Sequence, residues 1–364
     1  MASSASDLDI TGEVLCPDIL LIVFKHLSTS DILSAARVCK KWKNAVDCKQ
    51  SWRGRHVCIN LARQFDDRFL STLELRGLEY VSLVATNCAQ PNHACMDPRI
   101  RDIMQCFTPT LRGLKIQNMR LHDTDINILF GDKMECLEKL EFKYVVEATG
   151  SSLLPLSKQC PKLQHLNTNV EISTALIKSL GTNMPKLKTI NLIGTRKYDN
   201  TAMKDIKTYM ANLENLSLTR SPINDHGISQ LAVMRGLMSL ELGLCLSVTA
   251  EAIKILGQAK CPIKILTLIS CFSMDSDLVL TYIGQYALGI KKLTICGNQN
   301  YKVTDVGFQG LMTTTPSPLE NLYIAYHRLT KQAIVDIIKN SPNLLKMNFQ
   351  DGEVKIPEAT QQQS

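Results

Sequence analysis

The sequence predicts an α/β solenoid: short parallel strands lining a concave face, helices covering the outside, and a small all-α unit in front. Three observations carry the prediction. A leucine ladder of the form L-x-x-L-x-L returns about every 26 residues, an apolar helical stripe follows each rung, and a short segment with both tryptophans precedes the first regular rung. A repeat of that period means one supersecondary unit stacked on copies of itself.

The inner apolar pairs of the ladder are Leu114/Ile116, Leu140/Phe142, Leu166/Thr168, Ile190/Leu192, Leu216/Leu218, Leu240/Leu242, Leu266/Leu268, Leu293/Ile295, Leu322/Ile324 and Met347/Phe349, at steps of 24 to 29 residues. Each pair reads as a strand whose leucines point inward and whose intervening residues point out. About twelve residues later comes an i, i+3, i+4 pattern: Ile126/Leu129/Phe130, Ile228/Leu231/Ala232, Ala252/Ile255/Leu256, Val279/Tyr282/Ile283, Phe308/Leu311/Met312 and Ile334/Ile337/Ile338. A stripe on the helix and an edge on the strand each need the other for burial. Acid- or glycine-bearing turns such as Asp225-His226-Gly227, Asp305-Val306-Gly307 and Asp123-Thr124-Asp125 separate them.

These motifs resemble leucine-rich repeats, which implies a horseshoe with about ten units over residues 111–350. Five residues past the first leucine that family places cysteine or asparagine to satisfy loop backbone donors; Cys245, Cys271 and Asn298 fit, whereas Met119, Val145, Thr195 and His327 do not. An irregular earlier unit is expected around Leu78, Val81 and Leu83, inside a linker at 57–110. The concave strand face is the expected target surface, with Lys115, Lys143, Asn167, Asn191, Thr219, Glu241, Tyr323 and Asn348 as its candidate contacts. A curved, mostly neutral polar face suits a protein partner better than a phosphate backbone, which needs dense lysine and arginine.

In the front segment, Pro17 stands where a helix can begin without losing a hydrogen bond. Ile19, Leu20, Val23, Phe24 and Leu27 fall on one arc of that helix and Leu21 and Ile22 on the other. Such a helix must be covered on two sides, more than some 45 residues supply, so a partner surface is implied. A second helix starts at the Ser28–Asp31 cap region with Ile32, Ala35, Ala36 and Cys39, and a third holds Trp42 and Val46 among lysines. Between Arg37 and His56 seven bases face one acid, Asp47.

Leu15-Cys16-Pro17-Asp18-Ile19-Leu20, Val23-Phe24, Leu27, Asp31-Ile32, Ala35, Val38-Cys39-Lys40, Trp42 and Trp52 resemble an F-box over residues 13–56, with Cys16 where many members have proline. The resemblance implies docking onto the acidic Skp adaptor of a cullin–RING ubiquitin ligase through Pro17, Leu20, Phe24, Leu27, Ile32, Val38, Cys39 and Trp42. The junction Trp52-Arg53-Gly54 through Arg76-Gly77-Leu78 is similar to the Partner-of-paired branch of F-box leucine-rich-repeat proteins. The function so implied is a non-catalytic substrate receptor of an SCF-type ligase that holds a target protein for ubiquitination. The alternative is a non-degradative repeat scaffold that sequesters a protein partner.

The remaining features bound this reading. Across 364 residues no apolar run is long enough to span a bilayer, and residues 1–10 hold two acids and no secretory pattern, so a cytoplasmic or nuclear location with reduced thiols is expected. Cys88, His93, Cys95 and Cys106 cluster in sequence, but their spacing matches no standard zinc pattern. No serine, cysteine or histidine stands in a recognisable catalytic context and no phosphate loop is present, so neither catalysis nor a cofactor is expected. Polar stretches at 1–12 and 351–364 read as disordered tails.

Overall fold

The computed structural model describes residues 15–61, 66–84, 100–170, 172–193, 199–286, 288–297, 302–313, 316–350 and 352–354. The chain divides into two compact units, Met1–Ala148 with Gln159–Pro161, and Thr149–Lys158 with Lys162–Ser364.

The first unit begins with four helices: α1 (Pro17–Lys25), α2 (Thr29–Ala35), α3 (Lys40–Val46) and α4 (Lys49–Trp52). Pro17 opens α1, since it lacks the N–H that a first turn leaves unpaired. Ser28 caps α2 by accepting the Asp31 N–H at 3.2 Å. Four parallel strands follow, alternating with helices: β1 (His56–Asn60), α5 (Asp67–Arg76), β2 (Tyr80–Val84), α6 (Ile100–Phe107), β3 (Gly113–Arg120), α7 (Asp123–Leu129) and β4 (Lys139–Val146). The sheet therefore starts two strands ahead of the regular ladder. The expected early unit is β2, with Leu78, Val81 and Leu83 fully buried. The strand β1 lies inside what reads as linker; His-Val-Cys-Ile-Asn has no leucine to mark a rung, and Ile59 is its one buried side chain.

The second unit continues the same alternation. After α8 (Leu153–Gln159) come β5 (His165–Asn167), α9 (Thr174–Asn183), β6 (Thr189–Ile193), α10 (Asn200–Tyr209), β7 (Asn215–Thr219), α11 (Asp225–Leu231), β8 (Ser239–Gly243), α12 (Glu251–Gln258), β9 (Ile265–Ile269), α13 (Ser276–Gln285) and β10 (Lys292–Cys296). A two-residue strand β11 (Val303–Thr304), α14 (Asp305–Leu311), β12 (Asn321–Ile324), β13 (His327–Arg328), α15 (Lys331–Asn340), β14 (Lys346–Phe349) and β15 (Gly352–Val354) complete it. Neighbouring ladder strands pair in parallel, and each ladder leucine stands opposite its equivalent: Leu216↔Leu240↔Leu266↔Leu293↔Leu322↔Met347. Alternate side chains are buried, and each buried leucine or isoleucine contributes on the order of 1.5–3 kcal/mol. This is the solenoid-like α/β repeat that the ladder predicts.

Two expectations shift. Gly352–Val354 reads as tail but forms β15, antiparallel to β14, with Met347 opposite Val354. On α12 and α13 the buried face turns by one position, taking in Ile253 and Leu280 and leaving Ile255 and Tyr282 half-exposed. On α15, Ala333 and Ile337 are buried while Ile334 and Ile338 are only half so. Short helices with apolar residues on adjacent positions carry little phase information, and contact with the strand settles the phase. Cys245 and Cys271 donate their thiols to the carbonyls of Leu218 (3.4 Å) and Leu242 (3.3 Å) in the preceding rung, and their sulfurs also meet backbone groups of Ser221 and Cys245 in the preceding loop, in line with the expected role; Asn298 lies outside the described residues.

Candidate adaptor and target interfaces

The front helices are organised around a small core. Leu20 and Phe24 of α1, Ile32 of α2, Val46 of α3 and Trp52 of α4 are buried, and the Phe24 and Trp42 rings meet edge to face with centroids 5.5 Å apart. The Trp52 indole N–H donates to Val46 O at 2.5 Å, and the Ser51 hydroxyl to Ala45 O at 2.6 Å. Arg55 closes the end of α1, donating to Leu27 O at 2.7 Å and to Phe24 O. Arg76 of α5 lies 4.5 Å over the Trp52 ring and pairs with Asp47 at 2.9 Å, both side chains largely covered. A largely covered guanidinium that gives two N–H bonds to Asp47 Oδ1 and also stacks on an indole is a strong anchor, and it joins the four helices to the first repeat helix.

This core corrects the sequence reading of α1. Leu20, Phe24 and Ile32 are 0% exposed, so they hold the helices together and are not open to a partner in this structure. Ile19, Ile22 and Val23 instead form the outward stripe, at 44%, 58% and 42% exposure, with Val38 at 57%. An i, i+3, i+4 set is one face of a helix, so the signal was present. A helix apolar nearly all round does not say which of its faces is the inner one. Of the other expected contacts, Pro17 and Val38 are exposed, and Leu27, Cys39 and Trp42 are half-buried. The Trp42 Nε1 is buried without a hydrogen-bond partner among the described residues. The same four-helix segment also exposes Lys25, Arg37, Lys40 and Lys43.

The strand faces present rows of polar side chains in register. In the second unit one row runs Asn167, Asn191, Ser217, Glu241, Thr267, Thr294, Tyr323, Asn348. Asn167, Asn191, Glu241, Tyr323 and Asn348 thus stand together, with Thr219 in the adjoining row opposite Gly243. Asn191 donates to Asn167 Oδ1 at 3.1 Å, while Asn191 Oδ1, Ser217 Oγ and Asn348 Oδ1 have no hydrogen-bond partner among the described residues. In the first unit Lys115 pairs with Glu141 at 3.5 Å across its row, and Lys143 lies 5.4 Å over the Tyr144 ring in the next. Pairing Lys115 with Glu141 neutralises that part of the row.

Thiol chemistry here follows burial. Desolvation pushes Cys160 up to about 12 and Cys261 up to about 11. Cys106 is raised by burial and then by Glu74, and its thiol donates to Asp102 O at 3.2 Å. Its sequence companions Cys88, His93 and Cys95 lie outside the described residues; among those described, no three acid, cysteine or histidine side chains are grouped to hold a metal. Among them also, no helix is long and apolar enough to cross a membrane.

One chain of the crystal structure of the Rad7 and Elc1 complex in yeast is similar over 92% of this chain and 80% of that one, at 17% identity and a TM-score of 0.48. Residues 13–54 match the sequence model of the F-box domain. The helices α1–α4, with their buried Leu20–Phe24–Trp52 core, outward Ile19–Ile22–Val23 stripe and exposed bases, are an F-box domain set before a solenoid-like α/β repeat.

Proposed function

We propose that this chain is the substrate-recognition subunit of an SCF-type cullin–RING ubiquitin ligase, its F-box docked on the acidic Skp adaptor and its strand faces holding a target protein. The observation that carries the reading is the uncovered apolar stripe Ile19–Ile22–Val23, with exposed Val38, inside a matched F-box domain that also exposes Lys25, Arg37, Lys40 and Lys43. Contiguous apolar side chains left in water on a helix face are the composition of a protein interface centre. Catalysis would come from tethering: the chain raises the local concentration of a target lysine at the conjugating enzyme and supplies no reacting group. The polar strand rows, which carry Asn167, Asn191, Glu241, Tyr323 and Asn348 in register, are the surface for the target, in the cytosol or nucleus.

The test is capture of purified Skp adaptor by the full chain and by Ile22→Asp and Val38→Asp variants. Both positions are exposed, so the variants fold, and capture falls by at least about 100-fold, some 2.7 kcal/mol. Undiminished capture by both would refute the docking face. Adaptor capture with no change in any bound protein's abundance when residues 13–56 are deleted would favour a sequestering scaffold instead.

A further inference from the structure

We propose that the loop rim at the ends of β8 and β9 anchors the target protein, taking a segment that joins two bulky apolar side chains to an aspartate or glutamate. This deepens the reading that the repeats hold a target, and rests on it. Leu246 and Phe272 are 55% and 46% exposed, Ile269 at the end of β9 is exposed as well, and Leu244 is half-buried. Exposed apolar side chains grouped on a surface mark a contact site.

The backbone brings these four together. β8 and β9 pair in parallel with Gly243 opposite Ile269, and the Leu244 N–H donates to Ile269 O at 2.8 Å. Further along, the Ser273 hydroxyl donates to Leu246 O at 2.5 Å, so the two loops run side by side. Between the displayed residues Cys245 and Cys271 turn inward, buried and bonded to the preceding rung. Loops pinned in this way present their outer side chains already arranged, which lowers the cost of binding.

Local conformation points to display. Arg220, Leu244 and Ser270, at equivalent places after β7, β8 and β9, have φ of +53°, +52° and +52°. That left-handed region favours glycine or asparagine, because a larger L-residue crowds its own backbone there. Leucine and arginine hold the position against this preference, and neither is buried. Backbone strain of this kind collects where a side chain has to be presented.

Charge sets the occupant. Arg220 stands beside Leu244, its N–H donating to Gly243 O at 2.7 Å, and its exposed guanidinium has no hydrogen bond or ion pair among the described residues. The acids of the adjoining loops and helix starts are committed: Asp225 to Thr249, Glu251 to Lys254 and Tyr282, Asp275 to the cap of α13. Glu241, three positions before Leu244, belongs to the strand-face row and suits a base where the segment runs on across it. The fitting segment therefore sets its apolar pair on Leu246 and Phe272 and its acid against Arg220.

The experiment pans the full chain with a random dodecapeptide library displayed on phage and measures the selected peptides on variants. They are expected to carry two bulky apolar residues and an acid, and to bind Phe272→Ser and Arg220→Glu at least about tenfold more weakly. Exchanging the peptide's acid for lysine should restore binding to Arg220→Glu. Leu244→Asn should weaken binding while its urea midpoint is no lower than wild type, since asparagine accepts the left-handed backbone. Failure to enrich any sequence, or peptides weakened by Glu241→Ala and Tyr323→Ala but by none of the rim variants, would overturn the rim site; the second result would leave the receptor reading intact. A lowered midpoint for Leu244→Asn would also overturn it, by showing that the leucine serves packing. Adaptor capture absent while peptides bind as described would sink the ligase assignment and leave the rim site standing.

Discussion

The Asp277 carboxylate holds Thr304, one repeat further along, at both of its donors: the backbone N–H at 2.8 Å and the hydroxyl at 2.5 Å. That hydroxyl in turn accepts the Val306 N–H and so caps α14. The same clasp recurs between Asp225 and Thr249 (2.8 and 2.7 Å) and between Asp305 and Thr330 (both 2.8 Å). A charged acceptor shared by a backbone and a side-chain donor is a strong, directional tie between adjacent repeats. It explains the Asp-x-Gly triplets in the sequence. The acid reaches forward to the next cap, and the glycine makes room for the polar side chain behind it: a Cβ on Gly307 would press on Asp277 Oδ1 and come within 2.9 Å of its Cα, and one on Gly227 would press on Asn200 Oδ1.

Asp277→Ala is expected to lower stability by about 1–3 kcal/mol, by orphaning the Thr304 donors. Gly307→Ala costs a similar amount through steric displacement. Combining them costs less than the sum, since the carboxylate that meets the new methyl is gone. Urea midpoints of the four proteins, followed by far-ultraviolet circular dichroism, measure the coupling; simple additivity would contradict the shared-space account.

Both tryptophans of the chain, Trp42 and Trp52, lie in the F-box, so intrinsic fluorescence reports on that unit. Leu20→Ala removes a fully buried side chain and should destabilise the emission-monitored transition by about 2–5 kcal/mol. Ile22→Ala, on the exposed face, should move it by no more than about 0.5 kcal/mol while weakening adaptor capture. Equal shifts would mean that the inner and outer faces of α1 are misassigned.

Asp199 caps α10, accepting Thr201's hydroxyl at 2.6 Å and its N–H at 2.8 Å. The hydroxyl, then the N–H, holds its carboxyl below the ordinary range. A depressed folded-state pKa gives stability that is present above the unfolded carboxylate value, about 3.9, and lost as pH falls through the folded one. Asp199→Ala is therefore expected to cost about 0.5–1 kcal/mol near neutrality, the lower part of the capping range for an exposed group. The gap to wild type should close below about pH 4. A gap unchanged in acid would show that the carboxylate charge is not what caps the helix.

The raised thiols predict an order of reactivity. Cys16 and Cys58 are exposed, whereas Cys160 and Cys261 are buried and held up at about 12 and 11. At pH 8, iodoacetamide should modify the first two in the folded chain and the latter two only in denaturant, because the thiolate is the nucleophile. Peptide mass mapping reads the sites. Early labelling of Cys160 would indicate local opening next to β5.

The ladder made the repeat, its strand direction and its inward leucines legible, because a period near 26 with alternating burial has one structural solution. The F-box spacing was legible for the same reason: proline and tryptophan at fixed separations constrain where helices start and what fills their core. The rows on the strand face, such as Asn167 beside Asn191, followed directly once each rung was aligned on its leucine. β1 was not legible, since a leucine-free strand earns its place only by pairing with β2. Nor was β15, whose three residues become a strand by lying against Lys346–Phe349.

By itself the sequence determined which segments repeat, which side chains enter the ladder and that a helical F-box stands in front, since periodicity and capping are local properties of the chain. Tertiary structure alone decided which face of α1 looks outward and that Arg76 is held by Asp47 and Trp52. These depend on which surfaces meet. A helix apolar on several sides, or a strand without a rung, leaves that choice open until its neighbours bury one side and expose the other.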